Sequence, residues 1–410
     1  MNNGEQGFHQ KMKQAEQEAQ QLPEPDECSL SISQQLQDRI REEIDQNNGL
    51  ISFEHFMQMA LYAPGLGYYA AGSRKFGAEG DFVTSPEISP LFSYCLANFC
   101  QQVLSNIPNG DILEFGAGSG VMAADILTEL ERRQAIPEHY YILEVSADLQ
   151  QRQQQTLQAK VPHLADRIQW LQQLPEQTFN GVVLANELLD AMPVHRFYVD
   201  DDKAKQYMVS WSDTQSQFVT STIDAETEVL KQVQHCQDYL RTNFSDGYES
   251  EISLAHSQWL AAVQATIGQG VFLLIDYGYG RSEYYHPERS MGTLMCHYRH
   301  RAHPDPFKLI GLQDITAYVD FTTLAEAAVA NKMDVLGYTS QTSFLLDCGL
   351  EELMPDPQTS STETLLKAAQ QIKTLTLPSE MGERFKVMAI GKQYSEDVPG
   401  FGLFDQLRYL

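Results

Sequence analysis

After Gly110, short apolar runs alternate with stretches whose apolar residues recur at helical spacing. The runs are "DILEF", "YYILEV", "RIQWL", "GVVLAN", "VFLLIDYG", "MDVLGYT" and "FKVMAIGK". Strand-length runs alternating with helical patterns predict a doubly wound α/β sheet whose βα turns form a site at the carboxyl edge. Upstream, "LQDRIREEI", "FEHFMQMALY" and "LFSYCLANFCQQVL" carry helical patterns. The stretch "APGLGYYAAGSRKFGAEGDFVTSPEISP" is too polar and too punctuated for a regular element. Between the fourth and fifth runs, "RFYVDDDKAKQYMVSWSD" alternates like a hairpin and a helical part follows, which predicts an insertion over the site. The expected organisation is a disordered or frayed tail over residues 1–32 and an N-terminal helical or lid part over 33–110. A core follows over 111–200 and 270–392, with the insertion over 201–269 and a C-terminal tail over 393–410.

Composition narrows the setting. The 410 residues are 42% hydrophobic, enough for a sizeable core. No apolar run reaches the roughly 18 residues that a membrane helix needs, so the expectation is a soluble chain without membrane insertion. Acidic residues outnumber basic ones, 55 to 28, for a net charge of −27. Such a field repels phosphate backbones and argues against a nucleic-acid partner. It suits a cationic partner, or simply solubility. Cys28, Cys95, Cys100, Cys236, Cys296 and Cys348 are scattered without a CxxC pair. That pattern, with an N-terminus rich in Gln and Glu and without Arg, predicts free thiols and a cytoplasmic location.

The candidate chemistry begins at "DILEFGAGSG". Gly116, Gly118 and Gly120 read G-x-G-x-G, not the G-x-G-x-x-G of dinucleotide sites. Glu114 stands just before them. A carboxylate sits badly beside a pyrophosphate and well beside an ammonium. It therefore favours S-adenosylmethionine, which carries an ammonium and a sulfonium, over NAD. Glu144 ends the second run, one βαβ step on, where a carboxylate can accept from both ribose hydroxyls. Trp170, at the end of the third run, either stacks on adenine or belongs to the core.

Asn186 and Glu187 end the fourth run, with Asp190 at i+3 from Glu187 on one helical face. Their acceptors suit a nitrogen nucleophile. Asn186 also suits a helix N-cap and Glu187 a first turn, and the two roles are compatible. Asp276 ends the fifth run on the same edge, and Asp320 and Asp81 add acids in loop-like context. Cys296, His297, His300 and His303 lie in "CHYRHRAHPDP", but Arg299 and Arg301 interleave with them and no known metal pattern is completed. The expectation there is a basic loop and no metal.

Together, "GYY", "GDFVTSPEIS", "LEFGAGSG", "ANELLDAMPVHRF", "LLIDYGY", "YRHR" and "DITAYVDF" resemble the MidA family of class I methyltransferases, over roughly residues 33–392. The resemblance implies a Rossmann-like sheet of seven strands, the last antiparallel, with an N-terminal helical part and an insertion after the fourth strand. It implies S-adenosylmethionine as cofactor, held by Gly116, Ala117, Gly118 and Glu144. The loop with Asp81, Thr84, Ser85 and Pro86 would close over it. Family members of the assembly-factor type methylate arginine on a subunit of respiratory complex I. A protein with an exposed arginine is thus the expected substrate, and a homo-oligomer is compatible with the reading. The chain departs from many relatives in lacking a Gly-Glu after the loop, where it reads "LFSYCLANFC". Glu187 is the first candidate for aligning the guanidinium, with Asn186, Asp276 and Asp320 in support. A non-catalytic cofactor-binding assembly protein, or a methyltransferase with another substrate, is the alternative.

Overall fold

The computed structural model describes residues 22–70 and 84–410. It divides into two units. One takes the described residues up to 70 with Asp190–Ala255 and Arg281–Tyr318. The other takes the described residues from 84 to Leu189 with His256–Gly280 and Val319–Leu410.

The second unit is built on a mixed, mostly parallel sheet. Its seven main strands, numbered in chain order, are β1 (Asp111–Phe115), β2 (Tyr140–Leu143), β3 (Ile168–Leu171), β4 (Phe179–Asn186), β5 (Ile267–Tyr279), β6 (Asp334–Ser340) and β7 (Phe385–Lys392). They run in the order β6-β7-β5-β4-β1-β2-β3, and the two-residue strand Val319–Asp320 pairs with the end of β5. β7 is antiparallel to both β5 and β6. β1 through β5 pair in parallel. Each of the seven apolar runs forms a strand, and the central parallel strands β1, β4 and β5 are the most apolar because they are covered on both faces. Ile112, Val182, Leu184, Val271, Leu273, Val387 and Ala389 form one buried cluster with Phe92, Phe99, Ile126 and Leu127 of the covering helices Pro90–Ser105 and Val121–Arg132.

The strand order reverses between β1 and β4. In an open α/β sheet, crossovers diverge at that point and leave a crevice at the carboxyl ends. The glycine turn follows β1 and the Asn186-Glu187 pair follows β4, so the topology places both at this edge. The last residues are packed against the same unit. Phe401 is buried, Phe404 O accepts from Thr339 Oγ1 and Gln406 N donates to Tyr338 O.

The first unit holds an antiparallel sheet of Ile51–Ser52, Lys203–Ser212, His195–Asp200 and Glu249–Ile252 in that order, with Gln217–Asp224 also on Lys203–Ser212. The segment after β4 is thus the hairpin expected from its alternation, followed by the helix Thr227–Leu240. Leu36, Ile40 and Ile44, one face of the helix Glu27–Gln46, join Phe53, Phe56, Met57 and Ala60 of Phe53–Tyr62 in this unit's core. A smaller sheet pairs Met295–Tyr298 with Arg301–His303 and with Asp314–Thr316. "YRHR" is its hairpin turn. Arg299 and His300 have φ of 47° and 61°, the left-handed pair of a two-residue I′ turn.

All six cysteines carry free thiols, five of them buried. Among the described residues no helix is long and apolar enough to cross a membrane.

Candidate functional site

Gly116, Gly118 and Gly120 have φ of 64°, 52° and 80°. Three left-handed residues in five explain the glycines, since a Cβ is disfavoured at each. At Gly120, the residue that caps Val121–Arg132, an added Cβ would also stand 2.9 Å from the Cα of Gln153. We expect Gly120→Ala to cost roughly 1–3 kcal/mol of stability, read as a lowered denaturation midpoint.

Glu114 precedes this turn and is 1% exposed. The Tyr140 hydroxyl donates to its Oε2 at 2.7 Å. Its Oε1 is shut off from water and has no hydrogen-bond partner among the described residues. Burial pushes the carboxyl up to about 7, against the pull of the Tyr140 hydrogen bond.

Glu144 lies one residue past β2 and is buried. Its Oε1 accepts the Ser146 N–H at 2.8 Å and its Oε2 the Gln153 side-chain amide at 2.9 Å. Gln153 sits on the helix Ala147–Lys160 and also donates to Gly118 O at 3.1 Å. Thr156, from the same helix, donates to Ser119 O at 2.7 Å. Trp170 directs its indole N–H to Gln153 Oε1 at 3.0 Å. Its ring, with Leu157, Val161 and Ile168, lines a groove of about 490 Å³ beside that helix.

The segment after β4 departs from the helical expectation. Glu187, Leu188 and Leu189 form a bend rather than a helix start, and Glu187 has a left-handed φ of 50°. The helical relation of Glu187 to Asp190 and the cap role of Asn186 therefore do not occur. The cause lies on β5. Asp276, fully buried, takes the N–H groups of Leu188 at 3.1 Å and Leu189 at 2.8 Å on Oδ2, and that of Tyr277 on Oδ1. Glu187 N donates to Ile275 O at 2.9 Å. These bonds hold a conformation that costs a non-glycine residue about 1–2 kcal/mol. Such strain is characteristic of functional sites.

The Glu187 carboxylate accepts from Ser85 N and from Asn186 Nδ2, both at 3.2 Å on Oε1. Asn186 Oδ1 is a second buried acceptor without a partner among the described residues. Ser85 opens the short helix Ser85–Ile88, preceded by Thr84 and with Pro86 in its first turn. Glu87 of that helix accepts the Ser119 hydroxyl in the glycine turn. One four-residue helix thus bonds both to the turn after β1 and to the bend after β4.

Asp320 caps the helix Phe321–Ala330, accepting Thr322 N at 3.0 Å and Thr323 Oγ1 at 2.8 Å. It is a cap rather than a loop acid. Thr84, Ser85, Pro86, Glu114, Gly116, Ala117, Gly118, Gly120, Glu144, Trp170, Asn186, Glu187, Asp276 and Asp320 all belong to the second unit. Asp190 falls in the first, and Asp81 lies outside the described residues. Among the described residues, the one group of three candidate ligands gathered closely enough for a metal is Asp200, Asp201 and Asp246, all exposed. Cys296 and His303 face each other across the hairpin.

Sequence reasoning did not single out Gln153, Thr156 or Glu87. For Gln153 a signal existed. It stands at i+4 from Leu149 and i−4 from Leu157, the two apolar residues buried on its helix.

Comparisons with known proteins point one way. A family model described as "Putative S-adenosyl-L-methionine-dependent methyltransferase" matches residues 95–339. The mitochondrial protein arginine methyltransferase NDUFAF7 of Danio rerio is 28% identical over 374 residues, 83% of each chain. Its Homo sapiens counterpart is 26% identical over 373 residues, 84% of this chain and 80% of that one. A COG1565 superfamily member from Burkholderia thailandensis, crystallised with S-adenosyl-homocysteine, is 40% identical. It superposes with a TM-score of 0.89 over 95% of this chain and 100% of that one.

Proposed function

The chain belongs to the S-adenosyl-L-methionine-dependent methyltransferase family whose model it matches, and from that premise we propose that it methylates an arginine nitrogen of a protein. The observation that carries the reading is the pair of buried acceptors, Glu114 Oε1 and Asn186 Oδ1, each without a partner among the described residues. A buried acceptor left unpaired costs about 1–3 kcal/mol, so both atoms call for ligands rich in N–H donors. Glu114 meets the ammonium of the cofactor, and Asn186 with Glu187 meets the guanidinium.

Bound in this cradle, S-adenosylmethionine supplies a methyl group already activated by its sulfonium. The chain's own residues contribute orientation and charge. The glycine turn lets backbone approach the cofactor, and Glu144 accepts from the ribose hydroxyls. An arginine side chain arrives charged, with a pKa above about 12. The Glu187 carboxylate aligns it and draws positive charge away from the attacking nitrogen. In such a transfer the bond from nitrogen to the methyl carbon would form as the carbon–sulfur bond breaks with its electron pair left on sulfur, and the proton the nitrogen gives up would pass to solvent. Asp276 acts through Glu187, by fixing the bend that carries it. The chain's excess of acids suits a basic protein substrate, and the family resemblance suggests a subunit of respiratory complex I.

The test is transfer of label from methyl-labelled S-adenosylmethionine to candidate proteins, followed by hydrolysis and separation of the methylated amino acids. Label in methylarginine supports the reading, and label in any other residue refutes the arginine assignment. Glu144→Ala should weaken cofactor binding by about 1.5–3 kcal/mol, as for loss of charged hydrogen bonds. Calorimetry showing parental affinity would end the ribose assignment.

A further inference from the structure

We infer that Gln153 is a positioning residue for the cofactor's nucleoside, joining the glycine turn and the Glu144 carboxylate into one rigid cradle. The inference rests on the proposed role of Glu144 at the ribose. Gln153 is fully buried, on a helix face it shares with Leu149 and Leu157. Packing alone favours a third leucine there, because a buried amide must find all of its hydrogen bonds. It finds three. Nε2 donates to Gly118 O at 3.1 Å and to Glu144 Oε2 at 2.9 Å, and Oε1 accepts from Trp170 Nε1 at 3.0 Å.

The partners fix which way the amide lies. A carbonyl and a carboxylate only accept, and an indole N–H only donates, so the reversed amide would meet like with like at every contact. The fixed amide in turn orients the carboxylate. Ser146 N holds one Glu144 oxygen at 2.8 Å and Gln153 holds the other, which sets both the position and the rotation of the group. A carboxylate set in this way meets a ribose diol without losing rotamer freedom on binding. The glycine turn does not depend on Gln153 alone, because Thr156 anchors Ser119 O independently. Gln153→Leu therefore removes the link while leaving the turn attached and the helix face apolar.

The experiment measures affinities of the full-length chain for S-adenosylhomocysteine and for its 2′-deoxyribose analogue, by calorimetry, alongside melting curves. The quantity read is the preference for ribose over deoxyribose. A merely structural role would weaken both ligands alike and leave that preference unchanged. We expect Gln153→Leu to lower it about tenfold, in the direction of Glu144→Ala. A lowered preference in Glu144→Ala with a parental one in Gln153→Leu overturns the inference and leaves the ribose reading standing. A parental preference in Glu144→Ala removes the ribose reading and the inference together. Gln153→Met, unbranched and of similar length, carries the test if the leucine variant does not fold. Unfolding of both would make Gln153 a residue of the fold and overturn the proposal.

Discussion

Glu187→Gln is expected to lower single-turnover methyl transfer at saturating cofactor by roughly a hundredfold or more, the scale on which removal of one preorganised electrostatic group acts. The substitution keeps shape and an oxygen for Ser85 N, and it removes the charge that the proposed role sets against a guanidinium. Cofactor affinity should stay close to the parent, because Glu114 lies on β1, the glycine turn follows it and Glu144 follows β2. The competing account makes Glu187 only a tie between the bend and the helix Ser85–Ile88. A glutamine carbonyl still accepts from Ser85 N, though more weakly than a carboxylate, so that account predicts some loss of stability and parental turnover per folded molecule. Glu187 is also held in left-handed backbone by bonds from Asp276 and Ile275, so its placement does not depend on its own side-chain charge. An unchanged single-turnover rate would remove the catalytic role and leave the tie.

The contrast between β4 and its exit shows where a sequence is readable. "GVVLAN" could be read as a strand because a central parallel strand must be apolar on both faces, a requirement its first five residues meet. "NELLDA" carries cap and periodicity signals for a helix, and it forms none. The N–H groups of Leu188 and Leu189 go to Asp276, nearly ninety residues on, and no local pattern encodes that partner. The same holds for Ser85, whose amide meets Glu187 about a hundred residues away. Gln153 stayed hidden for another reason. It is one of several glutamines in "LQQRQQQTLQ", and composition does not separate the buried one from its exposed neighbours. Only the spacing to Leu149 and Leu157 does. The glycine turn was legible because its geometry is local, backbone that needs positive φ, and the position of Glu144 just past a strand followed from the apolar run before it.

Binding of S-adenosylhomocysteine is expected to weaken about tenfold per pH unit as pH falls below 7, and to release a proton where it occurs. Glu114 sets this. Its carboxyl is pushed up to about 7 by burial, the neighbouring Glu144 pushes the same way, and the Tyr140 hydroxyl pulls back. Its ordinary value is 4.5. The folded chain thus holds the Glu114 proton more tightly than the unfolded chain does. This contribution to stability is fully present below about 4.5 and is lost as pH rises to about 7, at a cost of roughly 3 kcal/mol by linkage. An ammonium against Oε1 reverses the preference, because it favours the ionised form. Binding must therefore expel the proton wherever the free protein still holds it, and each unit below 7 makes that tenfold harder. Glu114→Gln separates the two effects. It should raise the melting temperature of the ligand-free protein at pH 8, where the parent carries an unpaired buried charge. It should also weaken binding at that pH and flatten the pH profile. Calorimetry in buffers of different ionisation enthalpy reads the proton directly. An affinity for S-adenosylhomocysteine that is constant from pH 8 to pH 5.5, with no proton released, would show that Glu114 does not face the ligand's ammonium.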